Sequence, residues 1–406
     1  MPSSWRKLAL LTLVSGLLCV QVARGQKGFP DKDDSEVEPP WVSDPYFKGD
    51  RDAWIAAGYA PVLRLPFGDG HSSTDVEELL GEVKLLWVET AHFRLGSSLP
   101  EVKLAREERS GVRDELERLA ERLPKISPKA RSLDRHMRLH LYAQRLEEMY
   151  ADFVKRVGPA AERFGDDTPH LGLRDKFPVL LLEKESSLGR YGNKYGQAGP
   201  AAAQRLNFHV NGTLGFATAW EFFEGTWKTD AALHGHVAWN IEQNLLCGYG
   251  GYTHVMPAWF QNGLGSWAQR RVTSRFPTYA ALEGSSKVAA DEWNWPPKVR
   301  ARVGFDHYPT TEQMLGWRHG QAHPYSDYMM AWSKVEWLMA QSGDGGGFGT
   351  FVERISAPIE VPPGTVATEE QVAARCREAL LAAWGLTPDE LDAAWAAWVP
   401  RHYPKK

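Results

Sequence analysis

Two helical segments joined by a short gap constrain this chain more than any other feature. Residues 231–246 (AALHGHVAWNIEQNLL) carry helical periodicity and stop at Cys247 and the breaker cluster Gly248 to Gly251. A second helix is predicted over Met256 to Arg271, following Pro257. Most of the polar residues that bear on function lie on this pair.

The rest of the sequence alternates between strand and helix signals. Segment 83–98 (VKLLWVETAHFRLGSS) alternates around Trp87, Phe93 and Leu95 and predicts an early strand ending at Gly96 and Ser97. Two amphipathic helices follow. The first, in 101–123, places Val112, Leu116, Leu119 and Leu123 on one stripe; the second, in 133–157, does the same with Leu139, Tyr142, Leu146, Met149, Phe153 and Val157. Phe177 to Glu183 (FPVLLLE) has strand length, the Gly and Pro punctuation of 189–200 marks a loop, and Leu206 to Val210 and Leu214 to Thr218 form a second strand region. Residues 275–325, rich in Pro, Gly and Trp, are expected to be ordered loops with little regular structure, with helices resuming at 327–340 and 349–355. The final helix has the clearest start: Thr387 as cap, Pro388 in the first turn and Glu390 closing a capping box ahead of Leu391, Trp395 and Trp398. The pattern is α+β, with a small strand-containing N-terminal region and a mainly helical C-terminal half.

Compartment decides how cysteines and metal-binding residues should be read. Arg6 and Lys7 precede an apolar run, Leu8 to Val22, which ends at the small residues Ala23 and Gly25. Such a run is too short to span a bilayer and reads as a cleavable export signal over 1–25. Leu17 and Leu18 stand before Cys19 where a lipidated cysteine needs small residues, so plain export to the periplasm or medium is expected. An acidic lead-in is predicted for 26–60, an N-terminal α+β part for 61–230 and a helical part for 231–406. Loss of Arg6, Lys7 and Arg24 takes the formal charge from −4 to −7, which gives no general attraction for nucleic acid or anionic lipid. Only Cys247 and Cys376 then remain; one disulfide and two buried thiols are both open readings. No later stretch is long and apolar enough to span a membrane. With 43% apolar residues and 17 Trp, the chain can bury a large core.

The helix pair carries the outline of a metal site. His236, Val237 and Asn240 stand where a zinc-peptidase helix has His, Glu, two variable residues and His, a spacing that aims both imidazoles at one metal. Pro257 to Trp267 (PAWFQNGLGSW) matches a second helix in which an aromatic pair precedes Glu-Gly-Leu-Ala, with Asn262 at the position of the ligand Glu. These segments resemble secreted peptidase-MA-like domains of bacteria, of the gluzincin type, over a span from about Trp87 to Val399. The strand around Trp87 to Ser98 is similar to their opening segment, and Tyr328 to Leu338 (YMMAWSKVEWL) to the helix behind the active site. Ala379 through Trp384, Gly385 and Thr387 to Leu391, on to Trp398, are similar to their closing helices. The resemblance implies a gluzincin-like fold and a protease cleft, with Tyr328 a relic of transition-state stabilisation now packed beside Trp332.

The departures remove the chemistry. Asn240 is a poor zinc ligand, Val237 cannot act as a base, and Asn262 lacks the charge that helps hold a divalent ion. Such a chain is expected to bind no cofactor and to be inactive, keeping the cleft for a peptide or envelope partner. Asn240 and Asn262 are expected to hydrogen-bond each other across the former ligand positions. Two alternatives belong to other classes. One is a hydrolase with a relocated metal among His234, Glu242 and His254, together with His236, although His234 and His236 at i, i+2 point to different sides of a helix. The other is glycan binding through exposed Trp residues in 293–317. Paired carboxylates at Glu147 and Glu148 or at Glu221 and Glu224 read as solvated faces, and no Gly-x-Ser-x-Gly elbow is present.

Overall fold

Short apolar runs in the N-terminal half pair into one five-stranded sheet, and the C-terminal half is helical. The computed structural model describes residues 37–406 apart from 82, 159–163, 166–167, 197–203, 225–227, 250, 252–255, 277, 279–293, 320, 322, 344–346 and 363–364. The expected export signal and the start of the lead-in thus lie outside the described residues. In chain order the first half contains α1 (Pro40–Ser43), α2 (Arg51–Ala56), β1 (Pro66–Gly68), β2 (His71–Ser72), α3 (Ser73–Leu80), β3 (Leu86–Glu89), β4 (Phe93–Ser97), β5 (Val102–Lys103), α4 (Arg109–Arg122), β6 (Ser132–Leu133), α5 (Arg135–Val157), β7 (Phe177–Leu182), α6 (Glu185–Tyr195), β8 (Gln204–Phe208) and β9 (Thr213–Ala219). A 3-10 turn, Trp220–Phe222, leads to α7 (Asp230–Gly248), α8 (Ala258–Val272), α9 (Trp295–Gly304), α10 (Thr311–Leu315), α11 (Tyr325–Ser342), α12 (Gly347–Ile355), α13 (Glu369–Trp384) and α14 (Pro388–His402).

The sheet runs β3-β4-β7-β9-β8; β4, β7 and β9 are parallel, and β3 and β8 are antiparallel edges. Strand β7 is buried along its whole length because helices cover both of its faces. Val179 and Leu181 join the large core under α5 and α7, while Leu180 and Leu182 join a smaller one with Leu188 and Tyr191 of α6. The chain is an α+β protein in which α7 packs on β9 and α5, and α8 packs on α7 and α11.

Two glycines set how closely α8 can be seated. A Cβ on Gly265 would stand 2.6 Å from Gln243 Nε2 and 2.9 Å from the Trp239 carbonyl on α7; one on Gly263 would stand 2.7 Å from the Ala331 carbonyl on α11. Helix α7 is buried on nearly every side, so it shows no strong polar stripe.

Four sequence expectations change in the structure. Segment 83–98 is an antiparallel hairpin, β3 and β4, because Thr90 closes a turn onto Phe93 through both its N–H and its hydroxyl. Residues 189–195 are not loop but belong to α6, where Leu188 and Tyr191 bury one stripe and Gly189 and Gly192 fall on that buried side. The stretch 275–325 includes α9, started by Pro296 and Pro297, where missing N–H groups cost little, and α10, closed by a Thr310–Gln313 capping box. The lead-in does not extend to residue 60: Trp41, Phe47, Trp54 and Tyr59 are buried, and Asp44 accepts a 2.8 Å bond from His140 Nε2 on α5. A charged, turn-rich composition hid these aromatic anchors. At the other end the capping box of α14 is formed as expected, with Glu390 accepting from the Thr387 N–H at 2.8 Å.

Candidate functional site

Helix α7 begins at a cluster of acids placed at its positive end. Thr229 caps it by accepting from Ala232 N–H at 3.2 Å, and Glu108, from the start of α4, accepts from Ala231 N–H at 2.7 Å. Along its length the helix turns two unlike faces to the protein.

One face carries the residues expected to mark a former zinc site. His236 is 2% exposed, and its ring lies 5.8 Å from that of Phe216 on β9 and 5.7 Å from that of Phe223. Neither ring nitrogen has a hydrogen-bond partner among the described residues. Burial alone pushes its pKa down to about 4, so the imidazole is neutral at pH 7. Val237 and Asn240 are fully buried. The expected bond between Asn240 and Asn262 is not made. Asn240 Nδ2 donates to the His236 carbonyl and Asn262 Nδ2 to the Ala258 carbonyl, each at 2.9 Å and four residues back on its own helix. Local back-bonding of this kind satisfies an amide donor without a partner helix. Asn240 Oδ1 is left buried with no partner among the described residues. The contact that does join the two helices lies one position earlier, where Gln261 meets Gln243 at 3.0 Å and also lies 2.6 and 2.9 Å from the guanidinium of Arg205 on β8.

The other face opens on a cavity of about 860 Å³. Asp230, His234, Ala238 and Glu242 line it from α7, with Glu115 from α4 and Arg145 from α5. Asp230 is fully buried, accepts from the Tyr142 hydroxyl at 3.2 Å and is ion-paired with Arg145 Nη2 at 2.8 Å, with Arg138 at 3.8 Å. Burial would raise its pKa, but the guanidiniums of Arg145 and Arg138 prevail and hold it below the usual carboxylate value. Arg145 also binds Glu115 at 2.7 Å. His234 Nδ1 lies 3.8 Å from Glu115; burial, then the charge of Arg145, push its pKa down to about 4. Glu242 pairs with Arg156 at 2.7 Å, and burial still raises its pKa.

His234 and His236 therefore do face opposite sides. His234 and Glu242 share a cavity but stand two helical turns apart, each engaged by its own partner, and His254 lies outside the described residues. No group of three or more His, Cys, Asp or Glu among the described residues is placed to hold a metal ion. Sequence reading missed Arg138, Arg145 and Glu115, whose one visible signal was arginine inside the apolar stripe of α5.

Other candidates resolve as packing. Trp295 is fully buried, with its indole N–H on the Tyr325 hydroxyl at 2.7 Å, and Trp317 is half-buried against His323, so neither is an open glycan platform; Trp293 lies outside the described residues. Tyr328 is buried, with its ring against those of Trp317 and His323. Glu147 is not a solvated charge: it accepts from the His92 backbone at 2.9 Å and holds the ring Nδ1 at 2.7 Å. Cys247 and Cys376 are not joined in a disulfide, and burial pushes the Cys376 thiol up to about 12. No helix of the described residues is long and apolar enough to cross a membrane. Comparison with protein-family models, with curated proteins and with solved structures returned no match to this chain.

Proposed function

We propose that this chain is a catalytically inactive relative of gluzincin-type zinc peptidases, exported, and that it binds a peptide or envelope component in the cavity beside α7. The observation that carries the reading is the sealing of His236 between Phe216 and Phe223. A catalytic zinc needs three protein ligands, an open coordination position for water and a base beside it. Here the residue after the histidine is Val237, and the two remaining ligand positions hold amides bonded to their own helices. The adjacency of α7 and α8 supports descent from a two-helix metal site. The cavity on the His234 face supports binding, because it is open while the former ligand positions are closed.

Metal analysis and one variant test both halves. The purified chain should carry less than one equivalent of zinc and show no chelator-sensitive peptidase activity; tightly bound stoichiometric zinc would overturn the inactive reading. The combined substitution Val237→Glu, Asn240→His and Asn262→Glu should create one zinc site. A folded triple variant that takes up no zinc would remove the peptidase ancestry.

A further inference from the structure

Net charge describes the whole chain, not each of its faces. Lys298 and Arg302 stand at i and i+4 on α9 and so share one side of the helix, and Phe305, which caps its C-terminus, lines the same recess as they do. Phe305 is 84% exposed, the most exposed large apolar side chain among the described residues. It stands at a recess of about 720 Å³ that Lys298, Arg302, His307 and Tyr325 also line, and that no carboxylate lines among the described residues. Lys298 and Arg302 form no ion pair among the described residues. Of the neighbouring acids, Asp306 is engaged by the Tyr308 hydroxyl and Asp327 by Ser326. Arg300 reaches the other way, donating to the Tyr403 carbonyl, which brings the end of α14 with Arg401 and His402, then Lys405 and Lys406, alongside α9.

An exposed aromatic set among unpaired cations fits one kind of partner better than others. A protein partner buries a contiguous apolar centre with a polar rim. Here a single aromatic projects from a positive surround, the arrangement by which a peripheral protein inserts a ring at the acyl boundary while cations meet lipid phosphates. We propose that this face of α9 is a contact surface for an anionic phospholipid leaflet, with Phe305 entering the interface and Lys298 and Arg302 binding headgroup phosphates. The surface is separate from α7, and its test does not depend on the metal content of the protein.

The experiment is sedimentation of the chain from Gln26, which keeps every described residue, with vesicles of two compositions. It should bind vesicles of equal parts phosphatidylcholine and phosphatidylglycerol, not phosphatidylcholine alone, and the binding should weaken as salt rises. Lys298→Gln and Arg302→Gln should each lower the partition coefficient about fivefold, the effect of one cation near an anionic surface. Phe305→Ser should lower it about tenfold with unchanged folding, since the ring is exposed in the free protein. Equal binding to both vesicle types, or partition unchanged in all three variants, would overturn the proposal. Binding to an oligoglutamate peptide without binding to vesicles would overturn it too, in favour of an acidic protein partner.

Discussion

His234 and His236 are two positions apart on α7 and meet opposite surroundings. His236 stands among aromatic rings with no polar partner, whereas His234 stands at the edge of a cavity walled by Glu115, Arg145 and Asp230. Burial pushes both pKa values down to about 4, but only His234 also has Arg145 pushing in the same direction. A helical rotation of about 200° separates residues i and i+2, so one helix can wall off one imidazole and present another. The His236 face is part of the core, and the opposite face carries a charged network beside a cavity.

The largest effect should follow from breaking the charged face. Arg145→Ala leaves Asp230 fully buried with only Arg138, at 3.8 Å, to offset it. The expected loss is about 3–5 kcal/mol of unfolding free energy in urea, the cost of stranding one partner of a buried pair. A loss below about 1 kcal/mol, the range of an exposed pair, would mean that water reaches this network and that the two faces are less different than they look.

Next in size is the seam that holds the two helices. Gly265→Ala should destabilise by about 1–3 kcal/mol, because the new methyl meets the Trp239 carbonyl as well as the Gln243 side chain. A neutral result would show that α7 and α8 can separate without cost, and the sealed face would then be openable.

The smallest effect has the opposite sign. His236→Leu should raise stability at pH 7 by about 1–2 kcal/mol, since it removes buried polar atoms that have no partner. A clear destabilisation would reveal a partner for the imidazole, water or metal, and break the comparison. The pH profile sharpens it. A histidine with a pKa of 6.5 unfolded and about 4 folded binds a proton only in the unfolded chain between those values. Stability is therefore full above pH 6.5 and lost as pH falls toward 4, and the His236→Leu variant should lose less over that window.

Much of the fold was legible because it rests on local periodicity. The stripes of α5, the runs of β7 and β9, and the Thr387–Glu390 box of α14 announce themselves within a few residues. The helices α6 and α9 were hidden by glycines and prolines, which read as breakers, although Leu188 with Tyr191, and Trp295 with Val299, supply their buried stripes. The candidate site was legible only on one side. His236, Asn240 and Asn262 stand out by spacing, but Glu115, Arg145 and Asp230 lie on three segments of the chain with no common pattern.

The sequence alone determined that α7 could present neither a second ligand nor a base at the His236 turn, because ligand spacing and side-chain chemistry are properties of adjacent residues. It also determined that α7 would lie deep in the protein, since a helix so poor in charge is stable only when covered. Tertiary structure decided which side of α7 is closed and which is open. Long-range packing set that outcome: Phe216 and Phe223 come from the sheet region to cover one side, and Glu115 and Arg145 come from α4 and α5 to charge the other.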